Sequence, residues 1–572
     1  MNLESIAFIF LMAPLLASGF LLLAKTVHHH ERLSFVIYYL STISGFLISL
    51  FFTILVLTKV NQRGPVSFYI GAHHSEVAIS YTFSLDGLII FFVALFISFT
   101  SWAYNDRKKT KQIEFSIILM IQLFSIGATL FTRDLFNLFV ALEIMGITSY
   151  VLIAFSSKVR SSVASLYYLL SSSAAMIFFL LGTYLIYRLT GSLNYHQIRE
   201  TLKGTAMSPA TVFAASSIIV AILMRSALFP LHFWLPNAHA MAMHPVSAIL
   251  SGILIKIPLI ALTPFVQLFD FSQSIGTVIK ILGALSAFFA VIFAFCQSDI
   301  KKLLAYHSIS QMGYITAAWG YAMELSLATE AGRILYTASI LHIIFHALFK
   351  STLFLSCGTI IDVTAQRNVY KNRNAARILI SADRKHLLTI IAFFLSALSI
   401  TAIPFFNGYY SKNLITSSFH HQWIYTILFI TGVFTTASFL KLSAIFFRPG
   451  PVENTQTIRK EKVPVLSYVL LIAALTVTAV YHSPIITGLL SSVFSSQSDI
   501  HLEFYESEIW MKSVTTIIIG TILYISIRSR TISHLMHLTE TVEVNLQSML
   551  ISVILSVTGL GIYLLVRGVI LI

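Results

Sequence analysis

The chain has 572 residues, of which 57% are apolar and 10% charged, with a mean hydropathy of +0.84, whereas a soluble globular domain carries about 25% charged residues. So few charges cannot cover so much apolar surface in water, which excludes a soluble enzyme, a disordered chain and a disulfide-rich secreted module, and leaves a membrane protein. The net charge of +14 resides in short loops between apolar runs, where the retention of basic loops in the cytoplasm accounts for it, so no nucleic-acid partner is expected.

In chain order, apolar stretches long enough to cross a bilayer are predicted at 5–24, 35–58, 84–104, 114–132, 135–156, 163–187, 209–229, 244–269, 274–297, 303–323, 334–361, 387–419, 424–447, 464–490, 510–527 and 549–570. The fold class expected is therefore an all-α polytopic membrane protein of about sixteen transmembrane helices, at roughly 20 residues per span. Met1 is followed by Glu4 rather than by a basic stretch, so the first run is expected to stay as a span and not to be cleaved as a signal. Cys296 and Cys357 both lie in apolar runs and cannot by themselves build a metal or redox cage.

Loop charges test the span count independently. The odd-numbered loops hold 22 Lys and Arg residues, including Arg107, Lys108, Lys109 and Lys111 after the third span and Arg367, Lys371, Arg373 and Arg377 after the eleventh. The even-numbered loops hold 8, among them Lys59, Arg133, Arg199 and Arg333. This bias places the odd loops in the cytoplasm and both termini outside, in an inner (plasma) membrane.

Seven further cations fall inside or at the ends of spans. Lys280, Lys441 and Arg567 are close enough to helix ends to reach the interface on their long stems. Arg225, Lys256, Lys350 and Lys412 are not. Glu143, in LFNLFVALEIMGITSYVLIAF, is isolated in an apolar run; a carboxylate at that depth costs a few kcal/mol, so it faces either a helix-packing ion-pair partner or a wet functional cavity.

Two spans are interrupted by proline. The seventh runs into MRSALFPLHFWLPNAHAMAMHP, with Pro230, Pro236 and Pro245, and the twelfth reads LSALSITAIPFFNGYYSKNLI, with Pro404 and Gly408. Proline removes a backbone donor and clashes with the preceding turn, and broken backbone at membrane depth survives only where it is buried in protein or lines water. Each break has a cation beside it, Arg225 before the first and Lys412 after the second. Paired interrupted spans point to inverted repeats: helices 4–8 over 114–270 and helices 9–13 over 271–450, framed by helices 1–3 over 1–113 and helices 14–16 over 451–572.

Lys256 sits midway along the eighth span, and Lys301 and Lys302 open the tenth. In HIIFHALFK of the eleventh, His342, His346 and Lys350 recur at i, i+4 and i+8, one face of a helix. No Glu, Asp or Cys completes a ligand set there, so no metal is expected. Histidine titrates near neutral pH and suits a hydrated path. Glu143, Arg225, Lys256, His342, His346, Lys350 and Lys412 are thus a string of ionisable groups suited to relaying protons laterally and to coupling the relay to another charge.

The segments SLDGLIIFF, LFNLFVALEIMG, ALFPLHFWLPNAHAMAMHPVSAILSG, SDIKKLLAYHSISQMGY, HIIFHALFKSTLFLSCGTI and GYYSKNLI together resemble the antiporter-like subunits shared by respiratory complex I, membrane-bound hydrogenases and multisubunit Na⁺/H⁺ (Mrp) antiporters. The resemblance covers roughly residues 80–450. It implies a fourteen-helix core with inverted repeats, half-channels joined by a central polar axis, and proton translocation without a bound cofactor. It also implies roles: Glu143 resembles the family's fifth-helix glutamate, Lys256 its eighth-helix bridging lysine and Lys412 its twelfth-helix lysine. His342, His346 and Lys350 match the eleventh-helix pattern. Arg225 departs, since it occupies the position of the seventh-helix lysine and arginine does not release its proton; it can serve Glu143 as a fixed countercharge.

The connection over about 529–548 is long enough for only about 30 Å of helix, too short for the lateral helix of complex I's largest antiporter-like subunit, which argues for the D type of Mrp antiporter subunits. The expectation is a proton-translocating subunit of a hetero-oligomeric cation antiporter, exchanging H⁺ with Na⁺ or another monovalent ion beside other membrane subunits. Its rivals are a proton-channel subunit of an NADH dehydrogenase-like or hydrogenase-linked redox complex, a membrane subunit of proton-coupled inorganic carbon uptake, and a non-transporting scaffold.

Overall fold

A computed structural model describes residues 3–26, 31–71, 78–105, 112–156, 158–204, 208–449, 461–494, 507–526 and 546–570. In lipid every backbone N–H and C=O must be satisfied within the segment itself, so the apolar stretches fold as helices. They are α1 (Leu3–Thr26), α2 (Glu31–Arg63), α3 (Leu85–Asn105), α4 (Gln112–Phe131), α5 (Leu135–Ala154), α6 (Val159–Thr190), a short α7 (Tyr195–Leu202), α8 (Pro209–Arg225), α9 (Trp234–Met241), α10 (His244–Ile249), α11 (Ile257–Val266), α12 (Ser272–Cys296), α13 (Ile300–Leu325), α14 (Glu330–Thr364) and α15 (Ala375–Ala382). After these come α16 (Leu387–Ile400), α17 (Asn407–Ser417), α18 (Trp423–Ser443), α19 (Val465–Val480), α20 (His482–Phe494), α21 (Ser507–Ser526) and α22 (Leu546–Ile570). Among the described residues eleven helices are long and apolar enough to cross a membrane, or twelve with the bent pair α19–α20 taken as one span. The chain is a multi-pass membrane protein, and every predicted stretch falls on a helix or a helix pair. The predicted connection over 529–548 lies almost wholly outside the described residues.

The backbone is interrupted where proline required it. Helix α8 stops at Arg225 and the chain restarts as α9 eight residues beyond Ser226, through a cis Phe229–Pro230 peptide. The predicted span 387–419 is two helices, α16 and α17, separated around Pro404. A third interruption is not among those predicted, although Pro258 stands in the first turn of the helix that follows it. Within the predicted span 244–269, α10 passes through a π-helical turn, Leu250–Leu254, before α11 begins directly after Lys256; such turns are frequent at functional sites. A two-stranded antiparallel hairpin, β1 (Val66–Ile70) and β2 (Ile79–Phe83), follows α2. Its alternating β-branched and aromatic residues are too few to register in a search for spans of 20.

The chain divides into two compact units. One comprises Met1–Ser226, Ile253–Ile275 and Leu546–Ile572, the other Ala227–Gly252 and Gly276–Asn545. In the first, α1 packs on α2 and α4, α4 on α5, α5 on α6, α6 on α8, and α22 closes against α8. In the second, α14 is the hub, contacted by α10, α13, α15, α16, α17, α19 and α20. Its most apolar stretch is buried along its whole length, as expected of a helix enclosed by protein on all sides.

A helix surrounded by others is held by cross-helix hydrogen bonds as well as by packing. The fully buried Tyr468 of α19 bonds Thr359 of α14 at 2.7 Å through its hydroxyl, which also lies 3.2 Å from the Leu355 carbonyl as a donor. Tyr468→Phe is expected to lower unfolding stability in detergent by about 1 kcal/mol through the lost hydroxyl, and Tyr468→Ala by about 3–5 kcal/mol through the cavity. Equal and negligible effects of both would contradict this packing.

Candidate functional site

In the first unit the Asp134 side chain accepts from the Asn137 amide and fixes the start of α5. This places Glu143 midway along the helix. Arg225 is the last residue of α8, so the interruption there delivers its side chain to α5. Its Nη2 lies 2.5 Å from Glu143 Oε1, and its Nη1 donates to the Leu142 carbonyl at 2.8 Å. The pair is asymmetric: the arginine side chain is 1% exposed and the glutamate 28%. The guanidinium is sealed in the protein and the carboxylate is partly exposed.

The fork fits because position 146 has no side chain. A Cβ at Gly146 would stand 2.3 Å from Arg225 Nη1 and 2.8 Å from the Tyr150 hydroxyl. The phenols of Tyr150 and Tyr168 also interact electrostatically with Arg225. Lys256, in the same unit, is fully buried at the junction between the π turn and α11.

In the second unit the predicted stripe on α14 is present and entirely buried. His342 bridges two helices, with Nδ1 2.8 Å from Ser411 Oγ on α17 and Nε2 3.2 Å from Gln311 Oε1 on α13. The His346 ring follows at 6.0 Å from that of His342. Lys350 donates to the Leu304 carbonyl of α13 at 2.6 Å. Lys412, next to Ser411, donates to the Ile400 carbonyl at 2.6 Å and lies 5.1 Å from the centre of the Tyr314 ring. Ile400 ends α16, where unpaired carbonyls carry the negative end of the helix dipole; the break around Pro404 thus creates the acceptor that Lys412 uses.

The structure therefore joins Glu143 to Arg225 in one unit, with Lys256 buried in that unit, and brings His342, His346, Lys350 and Lys412 together in the other. Sequence reasoning missed His307 of α13, which is buried against Phe439 and is acted on electrostatically by Lys350, Lys412 and Lys441. Its spacing of four from Gln311 was the available signal. Two of the cations near helix ends are held by groups of the protein. Lys441 is fully buried and donates to the carbonyls of Phe295 and Gln297 at the end of α12, and Lys280 pairs with Glu324 at 2.5 Å. The side chain of Arg567 lies outside the described ones. A polar cleft of about 610 Å³ in the first unit, lined by Arg133, His196, Arg199, Glu200 and Asp270 among others, contains none of the sequence-derived site residues.

Glycine inside a helix ordinarily costs about 1 kcal/mol relative to alanine. Gly146→Ala is nevertheless expected to destabilise, by about 1–3 kcal/mol, because the guanidinium must leave its seat. Gly19→Ala, where nothing lies within 4 Å of the new Cβ, should not destabilise. Thermal midpoints in detergent check the pair, and a stabilised Gly146→Ala would contradict the seating of Arg225.

The chain is 31% identical over 364 residues to the N subunit of NADH-quinone oxidoreductase from Desulforudis audaxviator, covering 62% of this chain and 69% of that one. It is 28% identical over 446 residues to the D subunit of the Na(+)/H(+) antiporter from Alkalihalophilus pseudofirmus, covering 76% and 85%. The fold matches a chain of an archaeal membrane-bound sulfane sulfur reductase (TM-score 0.74, 22% identity, 89% of this chain and 99% of that one). It also matches a chain of the Mrp complex from Dietzia sp. DQ12-45-1b (TM-score 0.72, 20% identity, 90% and 100%). A model of the family described as NADH:quinone oxidoreductase/Mrp antiporter, TM, matches residues 132–438, more than half the chain, and the protein belongs to that family.

Proposed function

We propose that this chain is the proton-translocating subunit of a multisubunit monovalent cation (Na⁺)/H⁺ antiporter in a plasma membrane, with both termini outside. Protons use Glu143 beside Arg225, together with Lys256, in one unit, and Lys412, His342, His346 and Lys350 in the other. The observation that carries this reading is the set of ionisable side chains buried in apolar helices, with Arg225 and Lys412 bonded where α8 and α16 break and His342 and Lys350 bonded across from α14 to α13 and α17. Helices 4–8 and 9–13 serve as the inverted repeats. The likeness to the antiporter's D subunit over 85% of its length supports partnership with other membrane subunits and exchange with Na⁺.

In this reading Arg225 never carries the proton. It keeps Glu143 ionised when the carboxylate is near, and Glu143 exchanges protons when it swings away. Lys412 trades the Ile400 carbonyl for its neighbours as their charges change. The likeness to the N subunit of NADH-quinone oxidoreductase favours a second reading, the proton channel of a redox-driven complex.

The complex reconstituted in vesicles with a pH-sensitive dye tests both readings. A sodium gradient should drive proton flux in an antiporter, whereas a redox-driven channel needs quinone turnover. Glu143→Gln and Lys412→Ala should each lower flux on the order of a hundredfold, the range typical for loss of a proton-transfer group. Arg225→Lys should retain or raise it. Full flux in both of the first two variants would leave only a scaffold.

A further inference from the structure

The row on α14 does not stop at Lys350. At further intervals of four residues the helix carries Phe354, Gly358 and Asp362, so that the row winds slowly around it. Each of these meets the α9–α10 segment of the same unit. The Lys350 ammonium lies 5.6 Å from the centre of the Phe354 ring, and the His239 ring stacks on that ring at 4.6 Å. The His244 ring lies over Gly358, where a Cβ would stand 2.3 Å from its Cγ and 2.7 Å from its Nδ1. Its Nε2 is 3.1 Å from Asp362 Oδ1. Gly358 is therefore the seat that lets the imidazole reach the carboxylate.

Unlike the enclosed His342, His346 and Lys350, this pair is not wholly sealed: the His244 side chain is 11% exposed and that of Asp362 18%. Asp362 lies two residues from the end of α14, and His244 is the first residue of α10. From α13, Lys301 brings a cation close by, with its ammonium 2.6 Å from the Ala242 carbonyl. His239 of α9 and Lys350 of α14 are the other ionisable groups along the row.

We infer that His244 and Asp362 form a proton-exchange site linking the row on α14 to the aqueous phase at that end of the helix. The inference rests on the proton-translocating reading above. Imidazole titrates in the physiological range, and a paired carboxylate both orients the ring and stabilises the imidazolium. A hydronium ion of the aqueous phase gives its proton to a ring nitrogen, its O–H bond breaking as the N–H bond forms and water remaining, which leaves an imidazolium countered by Asp362. That N–H bond then breaks as the proton passes to the next acceptor along the row and the neutral ring is restored.

The test uses vesicles carrying the whole complex, with flux expressed per assembled complex. His244→Gln preserves volume and can still hydrogen-bond Asp362, so a pair that merely ties α10 to α14 would keep full flux. The proton-exchange site instead requires a fall on the order of tenfold or more. Asp362→Asn should behave like His244→Gln, and Asp362→Glu should keep most of the flux. His244→Ala should also lose flux and recover severalfold when free imidazole is added. Wild-type flux in His244→Gln, or no response of His244→Ala to imidazole, overturns the assignment. Lys412→Ala in the same vesicles separates the two levels. If it conducts like wild type, proton translocation itself fails; if it is inactive while His244→Gln is fully active, only the His244–Asp362 site fails.

Discussion

A cation withdrawn from water needs an acceptor within hydrogen-bond reach, and the helices of a membrane protein have already used their carbonyls on themselves. That constraint organises this chain. Carbonyls become available where a helix ends, and several buried cations are found at such ends: Lys412 on Ile400, Lys441 on Phe295 and Gln297, and Lys301 on Ala242. The interruptions and the cations need each other. Without the break around Pro404, Lys412 would have no acceptor at the end of α16, and without Lys412 that end would leave buried carbonyls unpaired.

The same constraint explains the asymmetry of the Glu143–Arg225 pair. Arginine remains charged wherever it is placed, so it is the member that can be sealed completely, provided two oxygens meet its fork. Leu142 and Glu143 supply them, and Gly146 leaves the space. The carboxylate can change its charge and is the member left partly open. A fixed charge beside a partly exposed carboxylate is the arrangement that the proposed relay uses.

Helix α14 carries this logic along its length. Buried against seven other helices, it nonetheless displays His342, His346 and Lys350 in succession. The apolar surroundings fix the side chains, and their hydrogen bonds to Gln311, Ser411 and Leu304 tie α13 and α17 to the same row.

The membrane class, the helical stretches and the identity of the ionisable groups within them are legible in the order of residues alone. Hydropathy over 20 residues and the i, i+4 spacing of His342, His346 and Lys350 depend only on near neighbours in the chain. The two proline breaks are legible there too, since proline's effect on the helix is local. Tertiary structure decided which acceptor each cation finds: the carbonyls that hold Lys412 and Lys441 lie 12 and about 146 residues away, and no local pattern reports them. It likewise decided that Lys441 takes the carbonyls at the end of α12 and Lys280 pairs with Glu324, that a π turn precedes Lys256, and that Gly146 and Gly358 are seats for Arg225 and His244. Each of these depends on which helix faces which at side-chain distance, and that is settled only when the helices pack.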